Sequence, residues 1–249
     1  MTKSEALINL KKFSQSRGCE DENNWMNCLK KLDAKEVINY PFNPFNFFAN
    51  QQFLPVVGEA FYPVTSFEAV KKGKFNSGIN ILAGVTADEG TCFVSKWFDS
   101  IDSDPTKFNQ NIKNYLIKNL NWKSIESIEN KKKVVDYYIS DETNVNMIKN
   151  KTGQIPGDYI LSCPTYYMPR DMVLWSEDNK VFMYQLTYKS IMSFSSFYAG
   201  KEPWIGIGHG DDIEFVMGTS ILYPERYSEQ DYQFALLVMN LWSNFAKTG

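Results

Sequence analysis

Two short apolar runs, Ile79 to Val85 and Val181 to Tyr188, are the segments of this chain that read most plainly as buried strands. Each is apolar on both faces and ends in a turn signal, the pattern of a parallel strand covered from both sides. Parallel strands need a crossover connection, and the stretch between these two is largely helical in period, so the chain reads as α/β. Two core strands are nevertheless too few for a sheet that would cover all the helices expected around them. No repeat or low-complexity tract fills the difference. The expectation is an α/β sheet domain present only in part.

The helices are legible from their caps and spacing. Residues 4–16 read as a helix capped by Ser4, with Ala6, Leu10 and Phe13 on one face. A loop dense in proline and aromatic residues follows over 41–62, with Phe53 to Val57 extended. Asp104-Pro105 opens a helix carrying Phe108, Ile112, Tyr115 and Leu116 on one face. A further helix covers 124–139, and 157–177 is helical in period although Pro164 and Pro169 must kink or divide it. The last helix starts at Ser228, where Asp231 completes a capping box. It is apolar almost all round through Phe234, Val238, Leu241 and Phe245, so it is expected to be buried.

At 43% hydrophobic and 22% charged residues the composition is that of a soluble globular protein. With a net charge of −3 and one basic run, Lys131 to Lys133, which reads as a solvated helix face, nucleic acid is excluded as a partner. No stretch of about 18 apolar residues could span a membrane, and the charged amphipathic N-terminus is not a signal peptide. There are four cysteines. Cys19 and Cys28 bracket a short polar loop. A metal-binding pair would usually be closer, with a second pair nearby, so a small-loop disulfide is the better reading, contributing about 2.5–3 kcal/mol. That implies an oxidising, secreted or cell-surface setting. Asn150-Lys151-Thr152, the one glycosylation sequon, points the same way.

The single histidine, His209, lies between Gly208 and Gly210 in "IGIGHGDDIEF". Alone it would be a loop histidine, on a turn that something approaches closely. In open α/β sheets, however, chemistry gathers at the carboxyl ends of strands. "GVTADEG" puts Asp88 and Glu89 just past the first strand, with Gly90 allowing a tight exit, and the histidine loop comes after the second. A carboxylate followed much later by a histidine is the tail of the Ser…Asp/Glu…His order of α/β-hydrolases. Glu89 and His209 should then lie within about 2.6–3.2 Å of each other through Nδ1. The alternative is a metal site of His209, Asp211, Asp212 and Glu214. Against it, Asp212 to Phe215 reads as the start of a short helix, where acidic groups favour the positive dipole end. No cofactor is implied.

These segments carry a family resemblance. "WIGIGHGDDIEFVMG" resembles the histidine segment of the cholinesterases within the type-B carboxylesterase family, W-x-G-x-x-H-G-x-E-I-E-F-V-x-G, with Asp212 where glutamate is usual. "ILAGVTADEGTCF" resembles the family's acid segment, "FLPVVGEAFYP" its F-x-P-V-x-D-G-x-F-x-P stretch, and "LWSNFAKTG" the segment before its final strand. Cys19 and Cys28 match the family's small disulfide loop. Cys163 in "SCPTYY" matches a cysteine whose partner lies beyond this chain, which leaves Cys92 and Cys163 unpaired.

The resemblance implies the C-terminal half of an α/β-hydrolase fold, spanning 1–249 and lacking the half with the nucleophile. It implies an ester hydrolase working through an acyl-enzyme on a small-molecule ester, with Glu89 as triad acid, His209 as base, and Phe93 and Trp204 toward the substrate. No G-x-S-x-G occurs, so the serine is expected N-terminal to Met1. Cys92 stands where a gorge aromatic is common. Gln51 and Ala49 stand where acyl-pocket aromatics are expected, with Phe47 and Phe48 nearby. A homodimer through the C-terminal helix region of the longer protein is a further implication. The competing readings are a cholinesterase-like adhesion protein that has lost its triad, which keeping both Glu89 and His209 argues against, and an inactive truncated product.

Overall fold

A computed structural model of the chain describes residues 1–21, 23–38, 55–102, 104–120 and 127–249. They fall into two compact units, Met1–Lys72 and Gly73–Gly249.

In the first unit, α1 (Lys3–Ser16) is capped two residues before the Ser4 expected in that role. Thr2 is the cap: its Oγ1 accepts from Glu5 N and Glu5 Oε2 accepts from Thr2 N, satisfying two orphan donors reciprocally. Phe13, Cys19 and Leu29 form a small core, and the Cys19–Cys28 disulfide, with Cα atoms 5.6 Å apart, joins the segment after α1 to α2 (Trp25–Leu29). α3 (Ala34–Ile38) follows, and α4 (Ser66–Lys71) opens on a second capping box, Thr65 with Glu68. Phe47, Phe48, Ala49, Gln51, Phe53 and Leu54 lie outside the described residues. The remainder of the expected extended element, Pro55 to Val57, is not a strand. It enters a turn instead, with Val57 N–H donating to Met1 O at 2.9 Å.

The second unit holds both strands. β1 (Ile81–Thr86) and β2 (Val181–Leu186) pair in parallel, from Ile81 opposite Val181 to Thr86 opposite Leu186. Gly84 lies opposite Tyr184, whose ring would meet a Cβ on it at 2.2 Å, so the ring lies across the neighbouring strand where only glycine fits. The strands are less covered than their composition predicts: Phe182 and Met183 are exposed. Among the described residues only one neighbour pairs with each strand.

After the short α5 (Thr91–Val94), three helices make the largest core. α6 (Phe108–Asn119), α7 (Ile128–Ile139) and α8 (Val145–Gly157) bury Phe108, Ile112, Leu116, Val135, Ile139, Ile148 and Ile155 together. α6 starts at Phe108 rather than at Asp104-Pro105, because Asp104 Oδ1 accepts from Thr106 N and Oγ1 and closes a turn first. α7 starts at its cap, Ser127. The helix expected over 157–177 is divided before either proline: a π-helical turn, Asp158–Ser162, precedes α9 (Cys163–Val173), which has Pro164 in its first turn. A wider turn accommodates a ring that supplies no N–H and crowds the carbonyl four residues back.

α10 (Ser196–Ala199), α11 (Ile213–Val216) and α12 (Thr219–Leu222) are single turns. α13 (Glu229–Thr248) starts on the Ser228–Asp231 capping box as its sequence predicts. It packs Ala235 and Val238 on Leu186 and Phe215, but Leu236, Leu237 and Leu241 face outward. The expectation that α13 is buried all round is therefore corrected. No helix among the described residues is long and apolar enough to cross a membrane.

Candidate active site

The acid loop is set by the end of β1. Glu89 turns back so that its Oε1 accepts the N–H of Thr86, the last strand residue, at 2.7 Å, and its side chain is 8% exposed. Gly90 serves a purpose other than the tight exit expected of it. Its φ of −94° suits any residue, but a Cβ there would lie 2.0 Å from Gly153 O on α8. Gly90, Gly153 and Gly157 let that helix press against the acid loop backbone to backbone.

The histidine loop is clasped to the acid loop by Asp88. Asp88 N donates to Ile207 O and Asp88 Oδ2 accepts from Ile207 N, both at 2.9 Å. Gly206, at φ +66°, is where the backbone turns under that carboxylate, and a Cβ there would meet Asp88 Oδ2 at 2.0 Å. A second carboxylate, Asp211, organises the loop from inside. It is buried and accepts from Gly208 N at 2.9 Å, Ser195 N at 2.6 Å, and the Ser193 and Ser195 hydroxyls. The Tyr198 hydroxyl donates to His209 O.

These loops bring Glu89 and His209 together. Nδ1 lies 2.6 Å from Glu89 Oε2. A carboxylate accepts, so Nδ1 carries the proton and Nε2 is left as the acceptor. The imidazole is about half exposed, and the Phe93 ring sits 5.4 Å from it at 45°. The hydrogen bond to Glu89 holds the His209 pKa above its ordinary value. Partial burial opposes this, and the charges of Glu89 and Asp212 reinforce it.

The other candidates fare differently. Trp204, expected toward substrate, is a core residue, 6% exposed and packed with Val94, Ile205 and the edge-on ring of Phe98; only its backbone serves the loop. The groups of the metal alternative diverge: Asp212 Oδ2 accepts from Tyr184 OH, Glu214 Oε2 from Tyr227 OH, and Asp211 is held by its serines. No group of three potential ligands converges among the described residues. Cys92 and Cys163 are free, and burial pushes both thiols up. Asn150, the sequon asparagine, lies within α8 rather than on a loop. Its Nδ2 donates to Asp88 Oδ1 and to Trp204 O. Asp88, Asp211, Ser193 and Ser195 were not singled out by the sequence as loop-holding groups. The paired acids of "TADEG" and "HGDD" and the serines of "SFSS" are their only local signal.

A carboxylate–imidazole pair just beyond the carboxyl ends of two adjacent parallel strands is how α/β-hydrolases hold acid and base. The sequence model of the carboxylesterase family matches residues 1–249, and the chain belongs to that family. Among its curated relatives, the acetylcholinesterase of Leptinotarsa decemlineata is 25% identical over 226 residues, covering 90% of this chain and 34% of that protein. The acetylcholinesterase of Bungarus fasciatus is 24% identical over 237 residues, 93% of this chain and 38% of that protein. The cholinesterase of Mus musculus is 27% identical over 254 positions, 97% of this chain and 39% of that protein. The chain thus spans little more than a third of the length of these relatives.

Proposed function

We propose that these 249 residues are the acid–base portion of a serine ester hydrolase of the carboxylesterase and cholinesterase type. The observation that carries this reading is the 2.6 Å contact between a buried, doubly accepting carboxylate and the chain's only imidazole. In this reading His209 Nε2 takes the proton of a serine hydroxyl as its oxygen attacks the ester carbonyl. Glu89 stabilises the imidazolium that forms, and the proton then passes to the departing alcohol. Water repeats the sequence on the acyl-enzyme. The serine is supplied from outside these residues, which contain no G-x-S-x-G. The names of the relatives point to choline or similar esters, and the Phe93 ring beside the imidazole is a face that a cationic or acyl group could meet. The Cys19–Cys28 disulfide supports a secreted or cell-surface setting.

The test is complementation. The chain alone should not turn over acetylthiocholine or naphthyl esters, since the nucleophile and oxyanion donors are missing. Joined with a segment that supplies them it should, and His209→Ala should then cost at least about 10⁴-fold in kcat. Rapid turnover by the chain alone, or a complemented enzyme indifferent to His209→Ala, overturns the reading.

A further inference from the structure

The two loops of the site are joined to each other by Asp88 and joined to α8 by one side chain. Asn150 Nδ2 lies 2.8 Å from Asp88 Oδ1 and 3.0 Å from Trp204 O. Both neighbours only accept, so the amide nitrogen must face them, one N–H to each. Asn150 Oδ1 accepts from Gln154 Nε2 at 3.0 Å, which fixes the same orientation from the other side. Asp88 directly precedes Glu89, and its other oxygen holds Ile207 N, two residues before His209. A continuous run of bonds therefore leads from α8 through Asn150 and Asp88 to both members of the pair.

We propose that Asn150 is a positioning residue for the Glu89–His209 pair, locking the acid loop and the histidine loop to α8, and that its amide nitrogen is thereby closed to glycosylation although it lies in a sequon. The catalytic meaning of this role rests on the proposed hydrolase function; the geometric role does not. The residue type follows from the site. Aspartate would set a carboxylate against Asp88, and alanine would leave Asp88 Oδ1 and Trp204 O without this donor. A glycan would replace one of the two N–H groups that the two acceptors require. The sequon's hydroxyl is also in use: Thr152 is buried and its Oγ1 donates to Ile148 O at 2.7 Å.

Because His209 is the only histidine, its ring gives one set of imidazole resonances, and its titration reads the pair directly. The titration is followed by NMR in the wild-type chain, in Glu89→Gln as the reference for a broken pair, in Asn150→Ala, and in Asn146→Ala, an exposed position on the same helix. Asn150→Ala exchanges neutral for neutral, so a changed midpoint reports geometry rather than added charge. We expect it to shift the midpoint down, toward the Glu89→Gln value, by about half a pH unit or more, and Asn146→Ala to leave it in place. An Asn150→Ala chain titrating like the wild type overturns the proposal. A second measurement needs no variant: peptide mapping of the soluble wild-type chain secreted from a glycosylating host. Asn150 is expected unmodified, and a soluble chain carrying a glycan there overturns the proposal equally. The two readings fail separately. A complemented protein without esterase activity whose His209 titration still responds to Asn150→Ala removes only the hydrolase reading. Activity with an unmoved titration removes only this one.

Discussion

Glu214 sits in surroundings that oppose its charge. Its side chain is almost fully buried, and burial followed by the nearby Asp211 charge pushes its pKa up to about 8, against the opposing hydrogen bonds of Tyr227 OH, at 3.2 Å, and Ser190. An unfolded glutamate titrates near 4.3. Between those values the folded chain holds one more proton than the unfolded chain. Stability from this group is thus fully present below about pH 4 and falls by about 1.4 kcal/mol per pH unit until the pH has climbed through about 8. Glu214→Gln removes that dependence while keeping an acceptor for Tyr227. The variant and wild type should unfold at similar urea concentrations near about pH 5, with the variant more stable by on the order of 2–4 kcal/mol near about pH 8. A stability gap that does not change with pH would show that Glu214 ionises freely in the fold. At this scale the sequence was legible where chemistry leaves a local mark. His209 is a lone imidazole between glycines and Glu89 follows a strand, and both are where that reasoning put them. The surroundings of Trp204 and Asn150 were not legible, because the partners of both side chains are remote in sequence. Asn150 finds Asp88 62 positions away, and Trp204 lies edge-on to Phe98 in a core whose existence no short motif announces.

Among the elements, α8 shows why propensity alone misleads. Its sequence, "VNMIKNKTGQIPG", carries Gly153, Pro156 and Gly157, all of which argue for a loop. The helix forms because Asn144 caps it through Asn146 N and Met147 N, and because Ile148 and Ile155 join the core it shares with α6 and α7. Its glycines are needed for contact rather than conformation. A Cβ on Gly153 would lie 2.5 Å from Thr91 Cα, backbone that cannot yield cheaply. This gives a test in which two effects have opposite signs. In an exposed helix interior Gly→Ala stabilises by about 1 kcal/mol. Here overpacking should outweigh that gain, so Gly153→Ala is expected to destabilise the chain by about 1–3 kcal/mol in urea unfolding. A stabilised variant would mean that α8 does not press on the acid loop. A side-chain cap gave the start of α13, and a clear apolar face gave the buried side of α6 though not its start. The misplaced start of α1 came from taking the first serine as the cap, when Thr2 and Glu5 make the reciprocal pair.

For the molecule as a whole, the two-stranded sheet and the outer face of α13 raise the same question. Both strands were legible as apolar on two faces, and they pair in parallel as expected. Their burial was not legible, because burial depends on neighbours that a strand's own sequence does not contain. Phe182 is 46% exposed on β2, and Leu237 and Leu241 are each 53% exposed on α13. Phe182 meets Phe245, and Tyr184 meets Trp242, so strand and helix present their apolar side chains together. Between them lies a cavity of about 140 Å³ lined by Tyr184, Leu237, Leu241 and Trp242 among others. Exposed apolar surface of this kind, beside a strand that pairs with only one neighbour among the described residues, favours association. Since the chain spans little more than a third of its relatives, the remainder of a longer protein is one candidate cover, and a second copy is the one open to the chain by itself. The 249-residue chain should therefore self-associate at micromolar concentrations through β2 and α13. Leu237→Glu with Leu241→Glu should shift it toward monomer by placing charges where apolar faces would meet. Sedimentation velocity over a concentration series reads this directly. A wild-type chain that stays monomeric throughout, or a doubly charged variant that associates as strongly as the wild type, would show that this face is not where the copies meet.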